Sequence, residues 1–258
     1  MDRLENLKNI IMYLMADEHV SHQIPASLEE RQRMMRALMN VWKPRPISED
    51  FLKMQDAELQ MQREDKGMVK LDAVAAANSK LSSLNSQLCL WQGDITRLKV
   101  DAIVNAANAQ ALGCWAPLHN CIDNCIHSAA GIQLRKECAD KMQGRMLATG
   151  DAFITQGYNL PARYVIHTVG PIIPDGVPTK QQEKQLAQCY HSCLDLAEQN
   201  GLESIAFCCI STGVFHFPNE LAAKIAIKTV KSYPKHALKT IVFNVFLDKD
   251  RDIYQQLL

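Results

Sequence analysis

Asn105–Gly131 reads NAANAQALGCWAPLHNCIDNCIHSAAG. The stretch opens on a loop of asparagines and small residues and closes on an apolar run, Ile122 to Ala130, with helical periodicity. Between them Cys114, His119 and Cys121 are grouped around Gly113 and Pro117. Two thiolates and an imidazole form a zinc donor set, and three protein ligands leave the fourth tetrahedral position open for chemistry. Zinc-finger spacing is absent, because no second ligand pair occurs at regular separation. The alternative is chance adjacency in a chain that carries nine cysteines.

Outward from this stretch, strand and helix patterns alternate. Leu88 to Gln92, Val100 to Asn105, Gly150 to Gln156, Arg163 to Thr168, Ser204 to Ile210 and Thr240 to Phe246 read as strands. Cys121 to Cys138, Gln181 to Asn200, Leu221 to Ser232 and Asp250 to Leu258 read as helices. Such alternation predicts an α/β layered domain with a largely parallel sheet, which binds ligands in the crevice at the carboxyl ends of its strands. The asparagine loop and the loop Ser211 to Pro218 both leave strand carboxyl ends, so both converge on that crevice. Upstream the reading changes to helices: Leu4 to Met15, a second opened by the capping-box pair Ser27 and Glu30, and a third capped by Ser48 and running to about Arg63. This block shows no strand signal and no chemical motif. The expected division is a helical extension over 1–82 and an α/β domain over 83–258.

Composition narrows the class. Hydrophobic residues make up 47% and charged residues 22%, an ordinary balance for a globular protein. Lysine plus arginine equal aspartate plus glutamate at 28 each, so no global basic field draws nucleic acid. No apolar run is long enough to span a bilayer, and the N-terminus is interrupted by charge too early for a secretory signal. An odd number of cysteines without an export signal points to a reduced, cytoplasmic protein. Cys138, Cys189, Cys193, Cys208 and Cys209 lie in apolar patterns and read as small buried hydrophobes. Met34, Met35 and Met39, at helical spacing, read as core. His167 reads as a core histidine, His127 as off the face of Cys121, and His216 as a solvated loop residue.

Three further segments each admit two readings. Gly93-Asp94-Ile95-Thr96 follows a strand: the Asp94 carboxylate can accept from a purine amino group and the Ile95 amide can donate to a ring nitrogen, or the segment is an ordinary turn. Asn105 and Asn108 offer donor and acceptor to vicinal sugar hydroxyls, or bond their own backbone. Ser211-Thr212-Gly213-Val214-Phe215 presents consecutive amides around a glycine, a concave anion site without a Walker lysine, or a plain strand-to-helix turn.

In this order, GDIT, VDAIVNAAN, CIHSAAG, YVIHTVGP and ISTGVFHFP resemble the macrodomain family, from about Gln87 to the C-terminus. The resemblance implies a three-layer α/β/α fold with a mixed sheet, carrying here a helical N-terminal extension. Where most such hydrolases have a glycine-rich loop, this chain reads GCWAPLHNCID and ends at Asp123, a pattern similar to the zinc-containing microbial branch. That branch implies removal of mono-ADP-ribose from modified proteins, with Zn2+ as cofactor. It also implies association with a lipoyl-carrier protein and a sirtuin-type ADP-ribosyltransferase. Carried over by position, Asp94 and Ile95 hold adenine, Asn105 and Asn108 face the distal ribose, and Ser211, Thr212, Gly213, Val214 and Phe215 wrap the diphosphate. Phe215 lies against the distal ribose, and Phe246 stacks on adenine. Cys114, His119 and Cys121 bind zinc. Asn108 and His119 serve the reaction, and Asp123 orients a water or caps its helix. The rival expectations are an ADP-ribose-binding module with structural zinc and a deacetylase of O-acetyl-ADP-ribose.

Overall fold

The computed structural model describes residues 2–77 and 87–258. Three helices open the chain: α1 (Arg3–Asp17), α2 (Leu28–Val41) and α3 (Glu49–Lys66). Their starts arise from capping chemistry, since Ser27 Oγ accepts from the Glu30 amide and Ser48 Oγ from the Phe51 amide. Leu7, Ile10, Ile11 and Leu14 form one buried stripe of α1. They meet Met35, Met39, Trp42 and Phe51 in a small separate core. Ile132, from far along the chain, is part of that core, so the extension is fastened to the body of the protein.

A two-residue strand, β1 (Val69–Lys70), then leads into α4 (Leu71–Ala77). The expectation of no strand in this block is corrected here: β1 pairs in parallel with β3 (Leu98–Lys99). Two residues carry no periodicity for a sequence pattern to detect. The expected boundary between 82 and 83 falls outside the described residues.

The remaining elements are β2 (Gln87–Gln92), β4 (Ala102–Ala106), α5 (Ile122–Ala130), α6 (Ile132–Met142), β5 (Ala152–Gln156), β6 (Tyr164–Thr168), α7 (Lys180–Gln199), β7 (Ser204–Phe207), α8 (Asn219–Ser232), β8 (Thr240–Val245) and α9 (Asp248–Leu257). Among the described residues, six strands form one sheet in the order β2-β8-β7-β4-β6-β5. Every pairing is parallel except that of β5 with β6. β7 and β8 are buried at every position, as strands covered on both faces must be. Helices α7, α8 and α9 pack side by side, while α5 and α6 pack on β4 and β5. The expected mixed-sheet α/β fold with a helical N-terminal region is the one observed.

Two element expectations need correction. Cys121 to Cys138 is not one helix: the chain breaks at Gly131, where φ is +103°. A side chain at that φ is strained, and Gln55 of α3 comes in from the extension to accept the Ile132 amide through Oε1 at 3.0 Å. The apolar run Ser204 to Ile210 pairs only as far as Phe207, and Cys208 and Ile210 are buried without strand pairing. Apolar content records burial, not where a ladder ends. Because β4 and β7 are parallel neighbours, the loops after them leave the same edge of the sheet.

Candidate metal and ligand site

The loop after β4 is built by its asparagine. Asn108 Oδ1 accepts from the amides of Gln110 at 3.0 Å and Ala111 at 3.2 Å, and Nδ2 donates to Gly113 O at 3.1 Å. The self-bonding geometry is therefore present at this residue. Gly113 lies at φ +81°, and a Cβ there would stand 2.8 Å from the His127 ring, so glycine is what allows the chain to pass. Beyond it Cys114, His119 and Cys121 converge: their candidate ligand atoms all lie within 4.8 Å of one another. Cys114 Sγ is 3.7 Å from His119 Nδ1. Zinc bonds of about 2.3 Å to sulfur and 2.0 Å to nitrogen in a tetrahedron imply an S···N separation of about 3.5 Å. The donor set therefore fits a zinc ion in type and spacing.

The residue just before α5 is also a candidate ligand. Cys121 Sγ accepts from the Asn124 amide at 3.4 Å, so cysteine, and not the expected Asp123, caps this helix. Burial, with the neighbouring Cys114 adding to it, pushes the Cys121 thiol up to about 12. A bound cation acts in the opposite direction, because it selects the thiolate.

The loop is held from two sides that no motif announces. Arg36 of α2 donates through Nη2 to His119 O at 2.8 Å and to Asn124 Oδ1 at 2.9 Å. Asn40 Oδ1 accepts from the Leu118 amide at 2.9 Å. Arg135 of α6 donates to Met39 O, Asn40 O and Trp42 O at the end of α2, and to Cys114 O. Its guanidinium carbon also lies 4.2 Å from the Trp115 ring centroid. Sequence reading missed Arg36, Asn40 and Arg135 because an arginine or asparagine on a helix pattern looks the same whether solvated or buried, and their partners lie far along the chain.

Behind the loop lies a buried polar group. Asn105 is fully buried, and its Nδ2 donates to Asp123 Oδ1 at 2.7 Å and lies 3.1 Å from His167 Nδ1. On the other ring nitrogen, His167 meets Thr155 Oγ1 at 2.9 Å, and burial pushes its pKa down to about 3. A neutral imidazole that accepts at Nδ1 and donates at Nε2 satisfies both bonds. Asp123 is 4% exposed; burial raises its pKa to about 6, against the Asn105 hydrogen bond and the Arg135 charge. Its Oδ2 lies 3.4 Å from Asn108 Nδ2 and its Oδ1 3.6 Å from His127 Nε2. The structure thus places Asn105 behind Asp123, with Asn108 in front. His127, Cys138 and His167 also approach one another, fully in the core. With both His167 nitrogens taken and burial raising the Cys138 thiol, that group reads as packing.

The other two expected segments lie apart from the metal triad in the chain. Asp94 Oδ1 accepts from the Thr96 amide at 3.0 Å and from its hydroxyl at 2.6 Å, closing a short turn over Ile95–Arg97, and Ile95 is buried. In the Ser211 loop, Ser211 has φ +65°, and the His216 amide donates to Gly213 O. Ser211 is buried, whereas Gly213 and Val214 are exposed. Among the described residues nothing accepts from the Gly213, Val214 or Phe215 amides, as a concave anion site requires. Phe246 is 69% exposed beside the end of β2.

The chain belongs to the Macro domain family: residues 104–226 match it, and relatives are similar along the whole length. A protein-ADP-ribose hydrolase of Treponema medium is 48% identical, the match covering 96% of each chain. Another, of Staphylococcus aureus (strain MSSA476), is 45% identical over 99% of this chain and 97% of its own. A solved Trypanosoma brucei macrodomain in complex with ADP-ribose has a TM-score of 0.65 at 30% identity, covering 90% of this chain and 96% of that one. Coverage this complete takes in the helical extension. No described helix is long and apolar enough to cross a membrane, and all nine cysteines are free.

Proposed function

We propose that this chain is a zinc-dependent hydrolase that removes mono-ADP-ribose from modified proteins. Kinship over nearly the full length with relatives named protein-ADP-ribose hydrolase carries the reading. The three-ligand group between Asn108 and Asp123 supports the metal. In this reading Asp94 and the Ile95 amide hold adenine, and the amides of Gly213 to Phe215 take the diphosphate. The distal ribose then lies by Asn108. The 3.4 Å contact from Asn108 to Asp123 is the longest that this amide makes, and a ribose hydroxyl can replace Asp123 as its acceptor. Asn105 keeps Asp123 in place while that exchange occurs, and His119 and the two thiolates hold the metal. Zinc held by these three residues would supply Lewis-acid chemistry, polarising an oxygen or lowering the pKa of a water to about 7. A carboxyl-linked ADP-ribose is the preferred target, because an ester leaves more readily than an N-glycoside.

A lipoyl-carrier protein, modified by a sirtuin-type ADP-ribosyltransferase, is the substrate pair that the likeness to the zinc-containing branch suggests, and nine free thiols suit a cytoplasmic setting. The test is turnover of a protein ADP-ribosylated on a carboxylate, before and after chelation, with metal content measured on the same sample. Turnover that falls by orders of magnitude on chelation and returns with zinc supports the reading. Binding of ADP-ribose with no turnover in either state makes the chain a binding module instead.

A further inference from the structure

We propose that the cavity between the helical extension and the α/β body holds an acidic segment of the protein from which ADP-ribose is removed. The identity of that protein rests on the hydrolase reading; the preference for acidic chain does not. The cavity has a volume of about 470 Å³. One wall is α2 and α3, through Arg33, Arg36 and Arg63, with Lys66 at the end of α3; the other is α5, through Cys125, and the turn with Arg97 and Asp94. Asp94 is the residue that the hydrolase reading gives to adenine, so the peptide segment takes the α2–α3 side of the cavity and adenine the Asp94 edge. Five cations face two carboxylates, Glu29 and Asp94, in a chain whose net charge is zero. Folding gathers this charge, because the cations come from three separate segments.

Much of it is unspent. Among the described residues the Arg33 side chain makes no ion pair or hydrogen bond. Arg63 donates one Nη to Asn159 O at 3.3 Å, and its Nε is buried without a partner. Lys66 reaches only Asp94 Oδ2, at 3.5 Å. Arg36 and Arg97 are committed, to His119 O and Asn124 and to Gly67 O. Three cations with free donors over an apolar floor that includes Met35 and Leu59 suit carboxylate side chains on a short peptide segment.

Position gives the source of that segment. Leu118 and Asn120, either side of His119, are among the lining, and Cys125 is one turn of α5 from Cys121. Polypeptide attached to a ribose at the metal ligands therefore has this recess beside it. A nucleic-acid strand is the poorer fit, since its phosphates need a groove that tracks along the surface and this is a recess between two layers.

The test uses the full chain and two unmodified peptides of equal length, one rich in aspartate and glutamate, the other its asparagine and glutamine counterpart. Fluorescence anisotropy should show the acidic peptide binding and the neutral one not, with affinity falling as salt rises. Arg33→Glu should weaken the acidic peptide roughly three- to tenfold, leave ADP-ribose affinity unchanged in calorimetry, and raise KM but not kcat for the same peptide carrying ADP-ribose. Equal binding of both peptides, an unchanged affinity in Arg33→Glu, or displacement of the peptide by single-stranded RNA at lower concentration would overturn the proposal. So would an equal loss of ADP-ribose affinity, which would make the cavity part of the nucleotide site. Acidic-peptide binding as expected, with no turnover of any modified peptide, upholds the cavity and sinks the hydrolase reading.

Discussion

Replacing Arg135 by methionine should uncouple the metal loop from the helical extension. The arginine is 2% exposed, and burial lowers its pKa to about 10, so it remains charged at neutral pH. It donates at 3.1, 2.8 and 3.0 Å to the carbonyls of Met39, Asn40 and Trp42, and at 3.3 Å to that of Cys114. Methionine fills much of the volume but supplies no donor, which leaves four carbonyls without their charged partner. Each buried acceptor left without its donor costs about 1–3 kcal/mol, so losing several at once should cost about 3–5 kcal/mol in all. Each kcal/mol shifts Tm by about 2–4 °C in a chain of this size, so Tm should fall by roughly 10 °C. Arg135→Lys keeps the charge but not the planar fork or the stacking on Trp115, and should fall between the two. Differential scanning fluorimetry gives both shifts, and elemental analysis gives zinc per chain, which should drop in Arg135→Met because Cys114 loses its anchor. A Tm within about 2 °C of wild type, below the smallest shift expected, or a lysine variant identical to wild type, refutes the claim that the fork holds this junction.

Other outcomes rest on single contacts. Cys114→Ser should lose metal in elemental analysis, whereas Cys189→Ser, at a buried thiol on α7, should keep it. Asp94→Ala should weaken ADP-ribose roughly ten- to a hundredfold in calorimetry, the cost of losing a hydrogen bond to a charged partner; unchanged affinity would place adenine elsewhere. Asp101 ties three strands together: Oδ2 accepts from the Glu203 and Ser204 amides and the Ser204 hydroxyl, each at 3.0 Å, and Oδ1 from Arg163 at 2.9 Å. Burial raises its pKa, but these donors outweigh it and hold the carboxyl below its usual range. A depressed folded pKa stabilises above the unfolded value, so Asp101→Ala should cost about 2–3 kcal/mol at pH 7. That difference should shrink as pH falls below about 4, as melts at about pH 7 and pH 3.5 can show.

The fold was legible because its strands and helices differ in period and because capping residues mark helix starts, as Ser27 and Ser48 do. The convergence of Cys114, His119 and Cys121 was legible because they lie close together in the chain. What lay hidden was non-local. Nothing in the sequence says that Gln55 completes the break at Gly131, that Arg36 grips His119 O, or that Asn105 turns inward to Asp123. Cys121 as a helix cap was invisible for another reason: serine, threonine, aspartate and asparagine are the expected caps, and Asp123 stood nearby.

The bonds from the extension to the loop and to α6 span long stretches of chain: 77 residues from Gln55 to Ile132, 83 from Arg36 to His119 and 93 from Trp42 to Arg135. During synthesis, helices α1 to α3 emerge before the loop and α6 and can close much of their own core at once. Their carbonyls and side chains then wait, unpartnered, until the loop and α6 leave the ribosome. The thiols arrive into a docking surface already folded, and the binding geometry forms last. A slowly folding extension would therefore delay assembly of the Cys114, His119 and Cys121 cluster.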